Sequence, residues 1–207
     1  MATSLAYALV LAAGESSRFD GDKLLAHWNG SPLLGHVLDR VSEAGQRGLI
    51  AGAIVVLPPG HRDRESLVIS RGIKHVINPE HRSGVGSSLR LGISQLASHY
   101  PDSQAALIVQ GDQPLLQVDV IGALVATWRT TTRPVIRPRY QDTPATPGHP
   151  VLLDRIFWPR VNLLRGNEGC GVILQQSPDL VTIVDVPGRN PDVNTRSDLA
   201  SLKAPES

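Results

Sequence analysis

The most restrictive feature of the chain is the run Leu5-Ala-Tyr-Ala-Leu-Val-Leu11, which ends directly in Ala12-Ala13-Gly14. An unbroken apolar segment of this length fits a strand buried on both faces, so helices must cover both sides of its sheet. Apolar segments recur at residues 53–57, stopped by Pro58-Pro59-Gly60, and at residues 105–109, and further strands are expected at residues 74–77 and 181–185. Residues 134–138 read as a further strand, placed near an edge by its two prolines. Helical spacing alternates with these segments. Leu34, Val37, Leu38 and Val41 follow Pro32 and end at Gly45 and Gly48. A weaker helix is expected over residues 62–70. Leu89, Ile93, Leu96 and Ala97 mark another, and Ile121, Leu124, Val125 and Trp128 one more. A short last helix spans residues 195–202, with Thr195 as its cap.

This alternation predicts an α/β three-layer sandwich with a mainly parallel sheet, one domain over residues 1–203 and a loose tail at 204–207. Residues 138–150, rich in proline, read as a long surface loop. In such sheets ligands bind beyond the carboxyl ends of strands, where both Ala12-Ala13-Gly14 and Gly111-Asp112 lie.

Composition narrows the function classes. A net charge of +1 across 207 residues does not suit a general binder of nucleic acid. The one cysteine, Cys170, permits no intramolecular disulfide, and with no histidine near it in sequence it reads as structural. The apolar run over residues 5–13 lacks a basic lead-in, and nothing approaches the ~20 apolar residues of a membrane span. The expectation is a soluble cytoplasmic protein.

Three segments carry the chemistry. In the first, Leu11-Ala-Ala-Gly-Glu-Ser-Ser-Arg18 followed by Asp22-Lys23, Gly14 lets the backbone turn closely past a ligand. Ser16 and Ser17 offer small hydroxyls, and Arg18 and Lys23 supply cations for phosphate. The segment is neither a Walker loop nor a Gly-x-Gly-x-x-Gly fingerprint. The second is Gly111-Asp112-Gln113-Pro114, whose carboxylate at a strand end suits a hard cation. The third is Asp192-Val-Asn-Thr-Arg-Ser-Asp-Leu199.

Together these segments, with Gly30-Ser-Pro-Leu-Leu34, resemble the molybdenum cofactor nucleotidyltransferase family, and within it the molybdopterin cytidylyltransferases. Those carry Leu-Ala-Ala-Gly where guanylyltransferases typically carry Leu-Ala-Gly-Gly. The resemblance implies a Rossmann-like sheet of the nucleotide-diphospho-sugar transferase type. It implies that Leu11, Ala12, Ala13, Gly14, Ser16, Ser17, Arg18 and Lys23 wrap a triphosphate, and that Asp112 and Asn194 hold Mg²⁺. Ser83-Gly-Val-Gly-Ser-Ser-Leu-Arg90 resembles the segment beside base and sugar, which points to Ser87 and Ser88. Pro147-Gly-His-Pro-Val151 resembles the acceptor-side motif and makes His149 a candidate for the acceptor phosphate.

Two departures stand out: Asp20 occupies the usual glycine position of the loop, and Glu168 replaces a lysine common in relatives. The implied reaction is transfer of CMP from CTP to the terminal phosphate of molybdopterin, releasing pyrophosphate, with Arg18, Lys23 and Asp112 as its catalytic residues. A recipient molybdoenzyme or its chaperone is an implied partner. The alternatives are a guanylyltransferase or another small-molecule nucleotidyltransferase, an NAD(P)H-dependent oxidoreductase on the same fold, or a non-enzymatic cofactor chaperone.

Overall fold

The computed structural model describes residues 5–202 apart from residues 146 and 176, so the expected tail at 204–207 lies outside the described residues. β1 (Ala6–Leu11) leads through a loop and a 3-10 turn (Lys23–Leu25) to a small hairpin, β2 (His27–Trp28) and β3 (Ser31–Pro32), and then to α1 (Leu33–Gln46). β4 (Ala53–Leu57), α2 (Arg62–Ile69) and β5 (Lys74–Ile77) follow, and after them α3 (Val85–His99), β6 (Ala105–Gln110) and α4 (Val118–Thr130). The rest comprises β7 (Val135–Tyr140), β8 (Val151–Asp154), α5 (Trp158–Val161), α6 (Cys170–Gln175), β9 (Val181–Val186) and α7 (Arg196–Ser201).

Seven strands form one sheet in the order β5-β4-β1-β6-β8-β7-β9. Only β8 runs against its neighbours, antiparallel to both β6 and β7. The sheet is therefore mainly parallel, as the strand–helix alternation predicts.

β1 sits centrally, and its residues alternate between two apolar clusters. Ala6, Ala8 and Val10 face α1 and α4, packing with Val37, Leu38, Val41, Ile121 and Leu124. Tyr7, Leu9 and Leu11 face α3 and α5, among Leu89, Ile93, Leu96, Trp158 and Val161. Both faces are covered, which is why the run shows no polar alternation. No helix of the described residues is long and apolar enough to cross a membrane.

The structure corrects one expectation: residues 138–140 belong to β7, not to a loop. β7 lies one strand in from the edge, near it as its prolines suggest. Pro138 is tolerated there because β8 pairs only with Val135 and Ile136, so Pro138 lies past the end of that ladder. Its carbonyl still accepts the Gly148 N–H at 2.8 Å. β8 itself escapes sequence reading because it is four residues long and follows Pro150 directly. The short α5 and α6 have too few turns to display a period.

Close packing of α3 on β1 depends on Gly92. A Cβ built there would meet Leu9 Cδ1 at 2.4 Å, and Leu9 is fully buried. Alanine is the better helix former by about 1 kcal/mol, but overpacking a dense core typically costs about 1–3 kcal/mol. Gly92→Ala is therefore expected to lower the urea unfolding midpoint, with Leu9→Val in the same chain recovering part of the loss. A midpoint equal to or above wild type would refute the packing account.

Candidate active site

The loop after β1 is held from behind by one residue of α2. Arg64 is fully buried, and its Nη1 donates to the carbonyls of Ala12 at 2.8 Å and Gly14 at 3.0 Å. Its Nε and Nη2 each donate to a different oxygen of Asp22, both at 2.7 Å. One guanidinium thus ties the start of the loop to its end. The fork geometry of arginine suits this bidentate contact, and lysine could not reproduce it. Asp22 also caps the following 3-10 turn by accepting the Leu24 N–H. Burial raises the Asp22 pKa, but Arg64 and the Leu24 N–H outweigh it and hold the carboxyl below its usual range.

Inside this clamp the backbone turns through Ser16, at φ 56°, and Gly21, at φ 94°. The Ser16 hydroxyl accepts the Lys23 N–H at 3.2 Å. Asp20 is exposed, and its carbonyl accepts from Arg196, whose guanidinium lies over the buried Phe19 ring at 4.8 Å. The glycine needed for the turn has moved one place along, to Gly21, leaving Asp20 on the outside.

Three distant segments converge on Lys23. Gly111 N–H donates to Leu11 carbonyl at 2.9 Å, which brings the end of β6 against the end of β1. A side chain on Gly111 would meet that carbonyl at 3.0 Å. The Asp112 carbonyl accepts the Val193 N–H at 3.0 Å, which sets Asn194 beside it. Lys23 Nζ then donates to Asp112 Oδ2 at 2.6 Å and Asn194 Oδ1 at 3.2 Å. Arg18 reaches the same Asn194 oxygen at 3.0 Å. Asn194 is further fixed through the capping box of α7, in which Asp198 accepts the Asn194 and Thr195 N–H groups.

Behind Asp112, Gln113 donates to Asp192 at 2.6 Å and accepts from Asn190 at 3.3 Å. Burial and the nearby Asp112 charge push the Asp192 pKa up.

A cleft of ≈ 440 Å³ opens in front of this cluster, lined in part by Ala13, Gly14, Ser17, Lys23, Ser88 and Asp112. Its volume lies within the range usual for small-molecule sites, about 300–1,000 Å³. Its far wall is the start of α3. There Gly84, at φ 106°, presses so closely on Gly166 that a Cβ would fall 2.3 Å from that residue's backbone. The Gly86 N–H donates to the Gly166 carbonyl at 3.1 Å. Glu15 of the β1 loop pairs with Arg82 at 2.8 Å and lies 3.4 Å from His81, so the two walls meet at the rim.

Of the residues expected in the cleft, Leu11 also lines it. Ser87 is buried, and its one O–H is shared between the Glu80 and Gly84 carbonyls while its oxygen accepts from Asn78. Ala12 packs in the core, its N–H donating to the Val56 carbonyl and its carbonyl accepting from Arg64.

His149 is half-buried, with Nε2 3.4 Å from Gln110 Nε2. Burial, and then the Arg137 charge, push its pKa down to about 4, so the ring is neutral. Arg137 bonds the Pro147 carbonyl through Nη2, while its Nε is buried with no partner among the described residues. Cys170 nearby is buried, and its thiol is pushed up to about 12, which suits the structural reading.

Sequence reasoning gave no role to Asp22, Gln113 and Asp192, although each stands in a motif string, and it passed over Arg64, Gln110, Asn190 and Arg137. Among these four, only Gln110, a polar residue closing an apolar strand, gave any signal.

The donor set fits a divalent cation held jointly with a substrate. Among the described residues there is no cluster of three or more His, Cys, Asp and Glu side chains able to hold a metal alone. Asp112 and Asn194 instead present a carboxylate and an amide oxygen to one point. Mg²⁺ commonly takes one or two protein oxygens and completes its shell with phosphate and water.

The family model described as the MobA-like NTP transferase domain matches residues 8–186. A probable molybdenum cofactor guanylyltransferase of Thermococcus sibiricus is 27% identical over 201 residues, covering 94% of this chain and 96% of that protein. The bifunctional protein GlmU of Lactococcus lactis subsp. cremoris is 34% identical over 121 residues, 57% of this chain. The aligned part spans only 24% of GlmU's length. A solved structure of Rv0371c from Mycobacterium tuberculosis, in complex with manganese, superposes with a TM-score of 0.78 at 22% identity, covering 96% of this chain and 97% of that one. With its mainly parallel sheet and a family match across most of its length, the chain belongs to the MobA-like NTP transferases and is a nucleotidyltransferase of that type.

Proposed function

We propose that this protein transfers a cytidylyl group from CTP to the terminal phosphate of molybdopterin and releases pyrophosphate. The observation that carries this reading is the meeting of Lys23, Arg18, Asp112 and Asn194, of which Lys23 and Asp112 line one cleft. An acceptor phosphate oxygen forms a bond to the α-phosphorus, and the bond from that phosphorus to the bridging oxygen breaks. An acceptor phosphate is already ionised, so no general base is needed.

The work left to the protein is alignment and charge stabilisation. The Arg64 clamp fixes the loop whose N–H groups face the triphosphate. Lys23 and Arg18 offset the charge of the triphosphate and of the departing pyrophosphate. Asp112 and Asn194 would hold Mg²⁺, which supplies Lewis-acid stabilisation of phosphate charge when bound. The manganese complex of a neighbour sharing this fold supports a divalent cation here.

The base and sugar lie against Ala13, Ser88 and the start of α3. Ala13 lines the cleft with a methyl group where glycine would leave more room, which favours the smaller pyrimidine. A second reading, with GTP as donor, is favoured by the guanylyltransferase name of the Thermococcus sibiricus relative.

The acceptor side falls to His149, Gln110 and Arg137. A neutral His149 contributes a hydrogen bond, not a charge. The names of curated relatives support molybdopterin as the acceptor. Passage of the product to a molybdoenzyme or its chaperone follows from that reading.

Incubating the protein with Mg²⁺, molybdopterin and CTP, GTP or NADPH in parallel separates the alternatives. Pyrophosphate is expected with CTP. Pyrophosphate with GTP alone transfers the assignment to guanylyl transfer, and NADPH oxidation without pyrophosphate removes nucleotidyl transfer altogether. Asp112→Ala is expected to reduce pyrophosphate release by about two orders of magnitude or more; unchanged turnover removes Asp112 from the mechanism.

His149 gives a pH test. Its pKa is about 4 in the folded chain against 6.5 when unperturbed, so between these values the unfolded chain binds the extra proton. Stability contributed by the neutral ring is present above about pH 6.5 and is lost as pH falls towards 4, by about 3 kcal/mol in all. Urea midpoints of His149→Gln should therefore fall less steeply over that window than those of wild type, and equal slopes would contradict the buried neutral ring.

A further inference from the structure

We infer that Lys23 is a resident counter-ion of the cation seat, which excludes a free divalent ion and yields the seat only when a triphosphate draws the ammonium away. This rests on the reading of Asp112 and Asn194 as the metal-holding oxygens. Lys23 Nζ lies 2.6 Å from Asp112 Oδ2 and 3.2 Å from Asn194 Oδ1, so it occupies the point at which those two oxygens converge. A cation taken up by the same pair would have to fill that volume, beside a positive charge it repels.

The pairing is not a loose surface contact. The side chains of Lys23 and Asp112 are only 12% and 18% exposed. Lys23 is also held at its backbone, where its N–H is bound by Ser16 and the preceding Asp22 is clamped by Arg64. The side chain is therefore the part of the residue left free to move.

The ammonium faces two competing sites. In the absence of substrate the oxygens of Asp112 and Asn194 hold it. A triphosphate in the loop offers more negative charge than a single carboxylate, and the same ammonium can turn to it without displacing the loop. Arg18, which shares the Asn194 oxygen at 3.0 Å, is exposed and restrains only the amide. Metal and nucleotide thus enter as one unit, and a cation that arrives alone meets a filled seat. An empty seat would also leave the partly buried Asp112 charge uncompensated, which lysine prevents at little cost in flexibility.

The test is binding of Mn²⁺ alone to nucleotide-free protein, followed by paramagnetic enhancement of water relaxation. Lys23→Met is expected to bind bare Mn²⁺ at least ~10-fold more tightly than wild type, corresponding to one lost charge contact. It should also bind CTP more weakly in the presence of the metal. Lys23→Arg, which keeps a cation at the seat, should resemble wild type, and Arg18→Met, which leaves the Lys23–Asp112 pair intact, should gain less than Lys23→Met.

Adding Asp112→Ala to Lys23→Met should abolish the gain; if the gain survives, the ion is bound elsewhere and the inference fails. Wild type that binds bare Mn²⁺ as tightly as Lys23→Met also overturns it. Either failure leaves nucleotidyl transfer standing, since that reading is decided separately by pyrophosphate release and by Asp112→Ala turnover. Matching thermal unfolding of the variants shows that the comparison is made on folded protein.

Discussion

The interaction on which the rest of the site depends is the buried guanidinium of Arg64. The loop after β1 makes few hydrogen bonds of its own, among them the Phe19 N–H to the Ser16 carbonyl and the Lys23 N–H to the Ser16 hydroxyl. Here four hydrogen bonds from one side chain, at 2.7–3.0 Å, fix the loop from behind and leave its front face open. The cation is compensated by Asp22, so it is neither an unpaired buried charge nor available to phosphate. Lys23 follows Asp22 directly, so fixing Asp22 fixes the backbone from which the lysine reaches Asp112. The clamp thereby links α2, which contributes nothing to the cleft wall, to the position of the charge at its centre.

The fold was legible where burial imposes a period. β4 and β5 match the expected strand segments residue for residue, and α1 begins just after Pro32 as its spacing predicts. Legibility failed where tertiary context decides. β8 is a strand because β6 and β7 leave a slot for it, and four residues carry no pattern of their own. In the site, Lys23, Asp112 and Asn194 were visible because each stands in a short string with a recognisable companion. Arg64 was invisible: in Arg62-Asp-Arg-Glu65 nothing distinguishes the fully buried arginine from its exposed neighbour. Ser87 was misleading for a related reason. A serine at a helix start looks the same whether its hydroxyl faces a ligand or, as here, closes the turn beneath the helix.

The cleft divides its charges unevenly. Cations gather on one side, where Arg18 and Lys23 converge, while the region behind Asp112 is kept poor in free charge. Asp192 is shielded by Gln113 and shifted towards its neutral form, and His149 stays uncharged through burial. Arg137 is the exception there, a cation with no carboxylate partner among the described residues. This arrangement suits the two anionic substrates proposed for the site, because its own acids are paired or shielded.

The backbone contact between Gly84 and Gly166 has a consequence for how the protein comes into being. It joins the start of α3 to a segment about eighty residues later, and Lys23 meets Asn194 across a separation of 171 residues. Contacts of such long range form late, because loop-closure entropy must be overcome before they contribute stability. A nascent chain that has completed only β1 through β6 can assemble the central strands, yet it lacks both the far rim and the amide that completes the cluster. The cluster of Lys23, Asp112 and Asn194 is therefore complete only when nearly the whole chain has folded.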